Sequence, residues 1–367
     1  MADKRLKSWF MKNIILPNNE IIDKPGFIIY QFQEKGKNSF MREILFPELM
    51  LADIESRAHR LAGKKADLAL YRAGKRWGYR FADGALFPKR SKTGKKAFRT
   101  FFSDFVKFCE TVYSAGFSGT MDLPKMEITM RGEDVIICSI SGRGEVFLGA
   151  WVGVWGYMCE TRGMEGKHTK CQGRGAKECV FVCAPAKTLG FSEKMHWGQE
   201  MEIEPQFFKL NSPHEVLSEF SLKRFLEMGN ITYEGGFFRK GNDRLVLHES
   251  SSIYFIEDEL ERMGAKDVVF DSAFDYFREF SKWHTMEFFI GFLMATGWGE
   301  IKIFKEGKGY LVMIKNFPWT SLAGSIGFGM VRGAFSGFLS GKDKEEILFK
   351  RLKTNLHNGY LELTMRS

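Results

Sequence analysis

Apolar residues recur with helical spacing at corresponding places in the two halves of the chain. They predict a first helix over Leu49 to Leu61 and a counterpart over Ile253 to Met263. In the first half a second helix is predicted from Leu68 towards Tyr79. An aromatic-faced third helix then ends at Gly116, and its counterpart spans Trp283 to Ala295. Because the order of elements is kept, the pattern indicates an internal repeat.

Two strands and a glycine-spaced helix follow in each half. The continuous apolar run Val135 to Ile140 predicts a strand buried on both faces, with Tyr310 to Ile314 as its counterpart. Glycines four residues apart, at Gly149–Gly153 and Gly333–Gly337, let another helix approach closely. Each half closes on a hairpin, and the second turns at His357-Asn358-Gly359. The predicted fold class is α/β (α+β): two tandem modules, each an antiparallel sheet with packed helices.

Length and composition agree with two domains. A chain of 367 residues can bury two cores of ordinary size. We expect a first domain over 1–184 with all the cysteines, a linker over 185–205 and a cysteine-free second domain over 206–367. The two copies would form an intramolecular pseudo-dimer or build a homodimer. The 36 phenylalanines fit either filled aromatic cores or an apolar pocket, and both alternatives stay open here.

Charge and hydropathy exclude some partners. The formal net charge is +9, but the one dense basic run, Lys89 to Arg99, contains a single aromatic residue, Phe98. It is typical of an exposed loop, and nucleic-acid binding is disfavoured. The longest uncharged apolar run, Phe288 to Gly299, is far short of the roughly 20 residues that span a bilayer. No signal peptide is recognisable, so we expect a cytoplasmic protein whose cysteines are thiols or metal ligands.

The hairpin of the first half carries the candidate chemistry. Cys171 and Cys179 flank a Gly-rich turn and face each other, so they could share a Zn²⁺ ion with tetrahedral ligands. His168 precedes Cys171 by three residues, and Cys159 ends the preceding helix. The spacing contains no Cys-xx-Cys, and buried free cysteines would also explain it. A zinc ion here would be structural, and no catalytic residues are predicted.

These motifs together resemble the 4-vinyl reductase domain. The resemblance rests on the apolar strand, the Gly-xxx-Gly helix, Glu160 and the spacing from Cys171 to Cys179, over about residues 40 to 184. It extends more weakly to 240 to 365, as a degenerate second copy without cysteines. It implies a fold akin to the ligand-binding domains of heme nitric-oxide sensors and of vesicle-tethering (TRAPP-type) subunits.

The resemblance also implies a zinc site. In the family it consists of the two hairpin cysteines, a cysteine just before the Gly-xxx-Gly and an upstream acid. Here Gly144 and Glu145 stand in the place of the earlier cysteine. A further ligand would therefore come from Glu145, His168 or Cys159, or be missing.

Three functions compete at this point. The leading hypothesis is a non-enzymatic binding or sensor protein that holds a hydrophobic small molecule in an apolar pocket. We expect that pocket to include four aromatic residues, Phe101, Phe105, Trp151 and Trp155. The first alternative is a scaffold or adaptor with a protein partner and a filled core. The second is a tetrapyrrole-related reductase, for which the sequence offers no nucleotide motif.

Overall fold

The computed structural model describes residues 22–24, 26–34, 37–114, 116–190, 220–307, 309–318, 326–355 and 360–365. Over these residues the chain forms three antiparallel sheets with helices packed on them. This confirms the predicted α/β class. Among the described helices, none combines the length and the apolar character needed to traverse a bilayer.

The two halves contain matching elements. In chain order the first half has β1 (Ile22–Lys24), β2 (Phe27–Glu34), β3 (Lys37–Pro47), α1 (Glu48–Ala62), α2 (Lys64–Gly84), α3 (Lys95–Val112), β4 (Gly116–Asp122), β5 (Glu127–Glu133), α4 (Cys138–Ser141), α5 (Glu145–Met158), β6 (Met164–Lys170) and β7 (Cys179–Pro185). The second half has α6 (Leu222–Glu227), β8 (Thr232–Glu234), β9 (Phe237–Lys240), β10 (Asp243–Glu249), α7 (Ser251–Arg262), α8 (Asp267–Ser281), α9 (Met286–Ala295), β11 (Glu300–Glu306), β12 (Gly309–Lys315), α10 (Gly329–Asp343), β13 (Phe349–Asn355) and β14 (Tyr360–Met365).

The internal repeat is visible in sheet order and in helix packing. The first half forms a sheet in the order β4-β5-β7-β6, and the second half repeats this order as β11-β12-β14-β13. The glycine-spaced helices α5 and α10 pack against α2 and α8, respectively. A Cβ atom on Gly149 would lie 2.1 Å from the Tyr71 carbonyl oxygen, and one on Gly333 would lie 2.3 Å from that of Phe270. Both helix pairs therefore need glycine for backbone contact.

A buried carboxylate begins the glycine-spaced helix in each half. Glu55 accepts hydrogen bonds from the backbone N–H groups of Gly144 (2.8 Å) and Val146 (3.1 Å). Glu257 accepts equivalent bonds from Gly329 and Met330, both at 2.9 Å. A negative group at a helix N-terminus satisfies otherwise unpaired N–H donors and complements the helix dipole. Glu55 and Glu257 thus have the same structural role in the two halves.

A third sheet joins the halves, and the sequence did not predict it. Its order is β1-β2-β3-β10-β9-β8, so β3 of the first half pairs with β10 of the second half. The pairing is antiparallel, with Leu45 opposite Leu247. Ion pairs add to this joint: Arg76 lies 2.5 Å from Asp258, and Arg57 lies 2.5 Å from Asp275. The proposed domain boundaries stay a prediction, because 191–205 of the predicted linker lies outside the described residues. The predicted hairpin turn 357–359 lies outside them as well.

One predicted strand is wrong. Val135 to Ile140 is not extended: the strand before it ends at Glu133, and Cys138–Ser141 is one helical turn. The backbone reverses at Asp134 and Ile137, whose φ angles are +49° and +64°. The first four residues of the run are nonetheless buried. A short apolar run indicates burial, but its periodicity does not distinguish a strand from a buried turn.

Candidate metal centre and neighbouring cavity

The cysteine hairpin of the first half forms as the sequence predicts. Strands β6 and β7 pair antiparallel, with His168 opposite Phe181. The turn between them begins after Cys171, whose carbonyl oxygen accepts hydrogen bonds from the N–H groups of Arg174 (3.1 Å) and Ala176 (3.0 Å). Gly175 has a φ of +90°, a conformation that favours glycine. The turn thus brings Cys171 and Cys179 to the same end of the hairpin.

Three potential metal ligands converge at this end of the hairpin. One ligand atom each from Cys138, His168 and Cys179 lies within 4.8 Å of the other two. Ligands around a tetrahedral zinc ion are separated by roughly 3.3–3.8 Å, given bond lengths of about 2.0–2.3 Å. A small contraction would therefore suit zinc. Thiolate and imidazole are also the donors that zinc prefers.

Cys138 reaches the group because residue 144 is glycine. A Cβ atom on Gly144 would lie 2.1 Å from the Cys138 Sγ, so the thiol occupies the space of the absent side chain. Gly144 also has a φ of +81°. On the other side, a Cβ atom on Gly173 would lie 2.3 Å from the Cys138 carbonyl oxygen. The two glycines form a cradle for Cys138, and its thiol stands where the resemblance places a cysteine at residue 144 or 145.

Hydrogen bonds around Cys138, His168 and Cys179 favour the binding of a cation. The Cys138 thiol donates to Cys179 and lowers the pKa of Cys179 well below its usual range, with further support from the Gln172 N–H. His168 Nδ1 lies 2.9 Å from the Arg143 carbonyl oxygen, as expected of an Nδ1–H donor. The opposite nitrogen, Nε2, is buried and has no hydrogen-bond partner within the part of the chain that the structure describes. A metal ion would satisfy that lone pair.

The remaining predicted ligands lie at different distances from this group. Cys171 is buried, but its thiol is not among the three converging ligands; it donates to the Cys138 carbonyl oxygen at 3.7 Å, which makes Cys171 the candidate for a fourth ligand. Glu145 is the first residue of α5, but its carboxylate is not among the three converging ligands. Burial and the nearby Glu55 raise its pKa to about 7. Cys159 follows the last residue of α5, roughly 20 Å from the start of that helix.

An aromatic cavity lies between α2, α3 and α5. Its volume is about 30 Å³, which suffices for water but not for an aromatic ring. Phe105 and Trp151 line it. Other lining residues are Trp77, Gly78, Phe81, Cys109, Tyr113, Phe147, Ala150 and Val154. Phe147 also contacts Phe181, which stacks on His168 with ring centres 4.3 Å apart. The two features are therefore connected through packed rings.

Phe101 and Trp155 lie outside the cavity lining. Phe101 packs edge-to-face on Phe87 at 4.7 Å. Trp155 contacts Phe98 at 6.0 Å and donates from Nε1 to the Met126 carbonyl oxygen at 2.8 Å. Helical spacing identified an aromatic face but could not decide which of its members bordered a cavity.

The second half contributes a histidine behind the cavity wall. His248 on β10 is fully buried and stacks on Trp77, with ring centres 4.5 Å apart. Burial lowers the pKa of His248 to about 3, so the ring is neutral. His248 Nε2 and Trp77 Nε1 are both buried without hydrogen-bond partners among the described residues. The wall of the first-half cavity therefore depends on a strand from the second half.

Phenylalanines fill the corresponding interior of the second half. Phe289 stacks on Phe338 with ring centres 4.0 Å apart and parallel planes, at an angle of 5°. Phe335 packs against the same ring at 5.3 Å, and Phe277 at 5.5 Å. All four side chains are fully buried. Aromatic side chains thus occupy the space between α8, α9 and α10.

Comparisons with known proteins give a distant likeness. No known family matches the chain, so the likeness to the 4-vinyl reductase domain stays a resemblance. No curated protein matches it either. Among solved structures, one match is the phenol-responsive sensory domain of the transcription activator PoxR with phenol. It is 14% identical, covers 45% of this chain and 88% of that chain, and has a TM-score of 0.34.

Proposed function

We propose that the protein is a non-enzymatic small-molecule binding or sensor protein with a structural zinc site in its first half. The observation that carries the zinc site is the convergence of Cys138, His168 and Cys179 around an unpartnered, buried imidazole nitrogen. Cys171 is the candidate fourth ligand. Four such donors would form a closed site with no position for a reacting water, as in structural zinc sites. Free thiols at these positions suit a reducing, cytoplasmic setting.

Metal content of the purified protein tests this site. We expect one zinc per chain in the wild type, and loss of zinc in Cys138→Ser and Cys179→Ser. Cys109→Ser is the matched control, because Cys109 is equally buried but lies against the cavity, outside the ligand group. A wild-type protein that contains no metal and binds no added zinc would contradict the proposal. Equal zinc content in all four proteins would place the metal elsewhere.

The aromatic cavity is the proposed ligand site. An apolar molecule would have to displace one or more of the lining rings, because the present volume admits only water. The lining is almost entirely apolar, and Trp77 contributes the unpartnered indole N–H described above. A ligand that leaves this donor unpaired would lose affinity relative to one that supplies an acceptor. We therefore propose a small aromatic or unsaturated molecule with an oxygen acceptor.

A paired thermal-shift experiment tests the ligand site. Toluene and phenol have rings of similar size, but only phenol offers an oxygen to Trp77. We expect both to raise the melting temperature, phenol more than toluene, since ligands stabilise the state they bind. In Trp77→Phe the two shifts should become equal. If neither compound changes the melting temperature of the wild type, the cavity is a packing defect and the small-molecule proposal fails.

The filled interior of the second half supports a second candidate, a protein-interaction scaffold. Stacked phenylalanines fill the interior of this half. It has none of the cysteines of the first copy. Under this alternative the cavity of the first half would be a remnant. The toluene and phenol titration separates the two candidates, because a scaffold predicts no shift with either compound.

A further inference from the structure

The turn that carries Cys138 is strained. Ile137, directly before it, has φ +64° and ψ −50°, and the Cys138 N–H donates to the Ile136 carbonyl oxygen at 2.6 Å. This is a γ-turn with positive φ at its centre, a rare conformation that is unfavourable for a β-branched residue. Such a turn persists only when its surroundings hold it in place.

Two side chains hold the turn: Glu48 from the first half and Arg244 from the second half. The N–H of Ile137 donates to the carboxylate of Glu48 at 2.6 Å. Arg244, on β10, donates through Nη2 to the same carboxylate at 2.6 Å and through Nε to its other oxygen. The sheet joint explains this placement, because Leu245 pairs with Pro47, which puts Arg244 beside Glu48.

Arg244 also contacts the turn directly. Its Nη1 donates to the Asp134 carbonyl oxygen at 2.9 Å, and its Nη2 donates to the Ser139 hydroxyl at 2.9 Å. Asp134 and Ser139 stand on either side of the strained residue. The Glu48 side chain is 1% exposed and that of Arg244 is 12% exposed, so water screens the ion pair between them only weakly. One guanidinium thus braces both flanks of the segment that bears the ligand thiol.

We propose that Arg244 is a positioning residue for the metal ligand Cys138, and that it couples metal binding in the first half to docking of the second half. This inference rests on the proposed zinc site. Residues beyond the immediate ligands commonly orient them, and their loss weakens metal binding by about 10- to 100-fold. Coupling is reciprocal, so bound metal should in turn stabilise the contact between Arg244 and the turn.

Zinc affinity, measured by competition with a chromophoric chelator, tests the proposal. Arg244→Met removes the charged fork but keeps the side-chain stem, and we expect about 10- to 100-fold weaker zinc binding. Arg72→Met is the matched control: Arg72 pairs with Glu259 across the same joint at 2.9 Å but does not touch the turn. It should keep wild-type affinity. The zinc affinity of Arg244→Lys, which keeps the charge, should lie between those of the wild type and Arg244→Met.

A second readout reports on the ligand itself. When cobalt replaces zinc, the protein absorbs light in a thiolate-to-metal charge-transfer band. The intensity of this band rises with the number of bound cysteines. Arg244→Met should lose intensity in the direction of Cys138→Ser, whereas Arg72→Met should not. If wild-type protein binds zinc and Arg244→Met binds it as tightly, the coupling is refuted while the zinc site stands. If wild-type protein binds no zinc, both fail.

Hydrogen exchange on the wild type covers the case in which Arg244→Met does not fold. Removal of zinc should increase exchange in residues 134–141 and also in 243–249, across the sheet joint. Residues 329–343 on α10, which pack on α8 within the second half, are the internal reference and should change little. An increase confined to the hairpin 164–185 would overturn the proposal.

Discussion

His248 should make the stability of the protein depend on pH. Burial lowers its pKa to about 3, whereas a histidine in an unfolded chain titrates near 6.5. Below pH 6.5 the unfolded state therefore binds a proton that the folded state refuses. The free energy of unfolding must then fall as the pH falls from 6.5 towards 3, by about 1.4 kcal/mol per pH unit. Between pH 7 and pH 5 this single group costs about 2 kcal/mol.

Urea denaturation at pH 7 and at pH 5 measures this contribution. His248→Phe keeps a ring against Trp77 but cannot be protonated, so its loss of stability over this interval should be about 2 kcal/mol smaller than that of the wild type. Phe46→Leu is the control, because Phe46 packs on His248 at 6.5 Å and carries no titratable group. It should lower stability by a similar amount at both pH values. Loss of bound metal at pH 5 affects every protein alike and cancels in the comparison.

An equal drop for the wild type and His248→Phe would refute the reasoning. It would mean that the imidazole reaches water, or a proton acceptor, in the folded protein. The ring stack that joins the halves would then be looser than the distance to Trp77 indicates.

Three further substitutions test the packing. Gly149→Ala places a Cβ atom 2.1 Å from a carbonyl oxygen of α2 and should lower the free energy of unfolding by about 1–3 kcal/mol or more, whereas Gly94→Ala, which meets nothing within 4 Å, should not. Lys75→Met removes the cationic partner of the buried Glu165, at 2.8 Å, and leaves that carboxylate with the Tyr71 hydroxyl. It should cost about 3–5 kcal/mol in urea denaturation, with a loss under 1 kcal/mol as the contrary result. Phe338→Ala removes a fully buried ring stacked at 4.0 Å on α9 and should cost about 3–5 kcal/mol in a thermal melt; a neutral effect would mean that this interior is loosely packed.

The repeat and most helices follow from the sequence because their signals are local. The spacing of apolar residues sets α1 and α7 to within about two residues of their predicted ends. The helix predicted from Trp283 begins instead at Met286, because Thr285 accepts a hydrogen bond from the Phe288 N–H and caps it. The pairing of β3 with β10 has no such signal, since it joins residues about 200 positions apart.

The candidate metal group shows the same division between local and long-range information. Cys171, Cys179 and His168 belong to one hairpin, and the spacing alone placed them together. Cys138 was missed because it sits in an apolar run that was interpreted as a strand. The one clue in the sequence was the glycine at 144, where the resemblance expected a ligand. A glycine cannot bind a metal, but it can make room for a residue that does.

The shared sheet makes the first copy prone to self-association if it is separated from the second. Cutting the chain between β7 and β8 would leave the first copy with the long strand β3 as an open sheet edge. It would also bare the face of Trp77 that His248 covers. An open edge beside an uncovered aromatic face is a template for self-association. A severed first copy should therefore pair with another of its kind or aggregate. Tandem duplication keeps the matching surface of the second copy in contact with the first at any protein concentration. The second copy, which has no cysteines, then supports the first copy structurally.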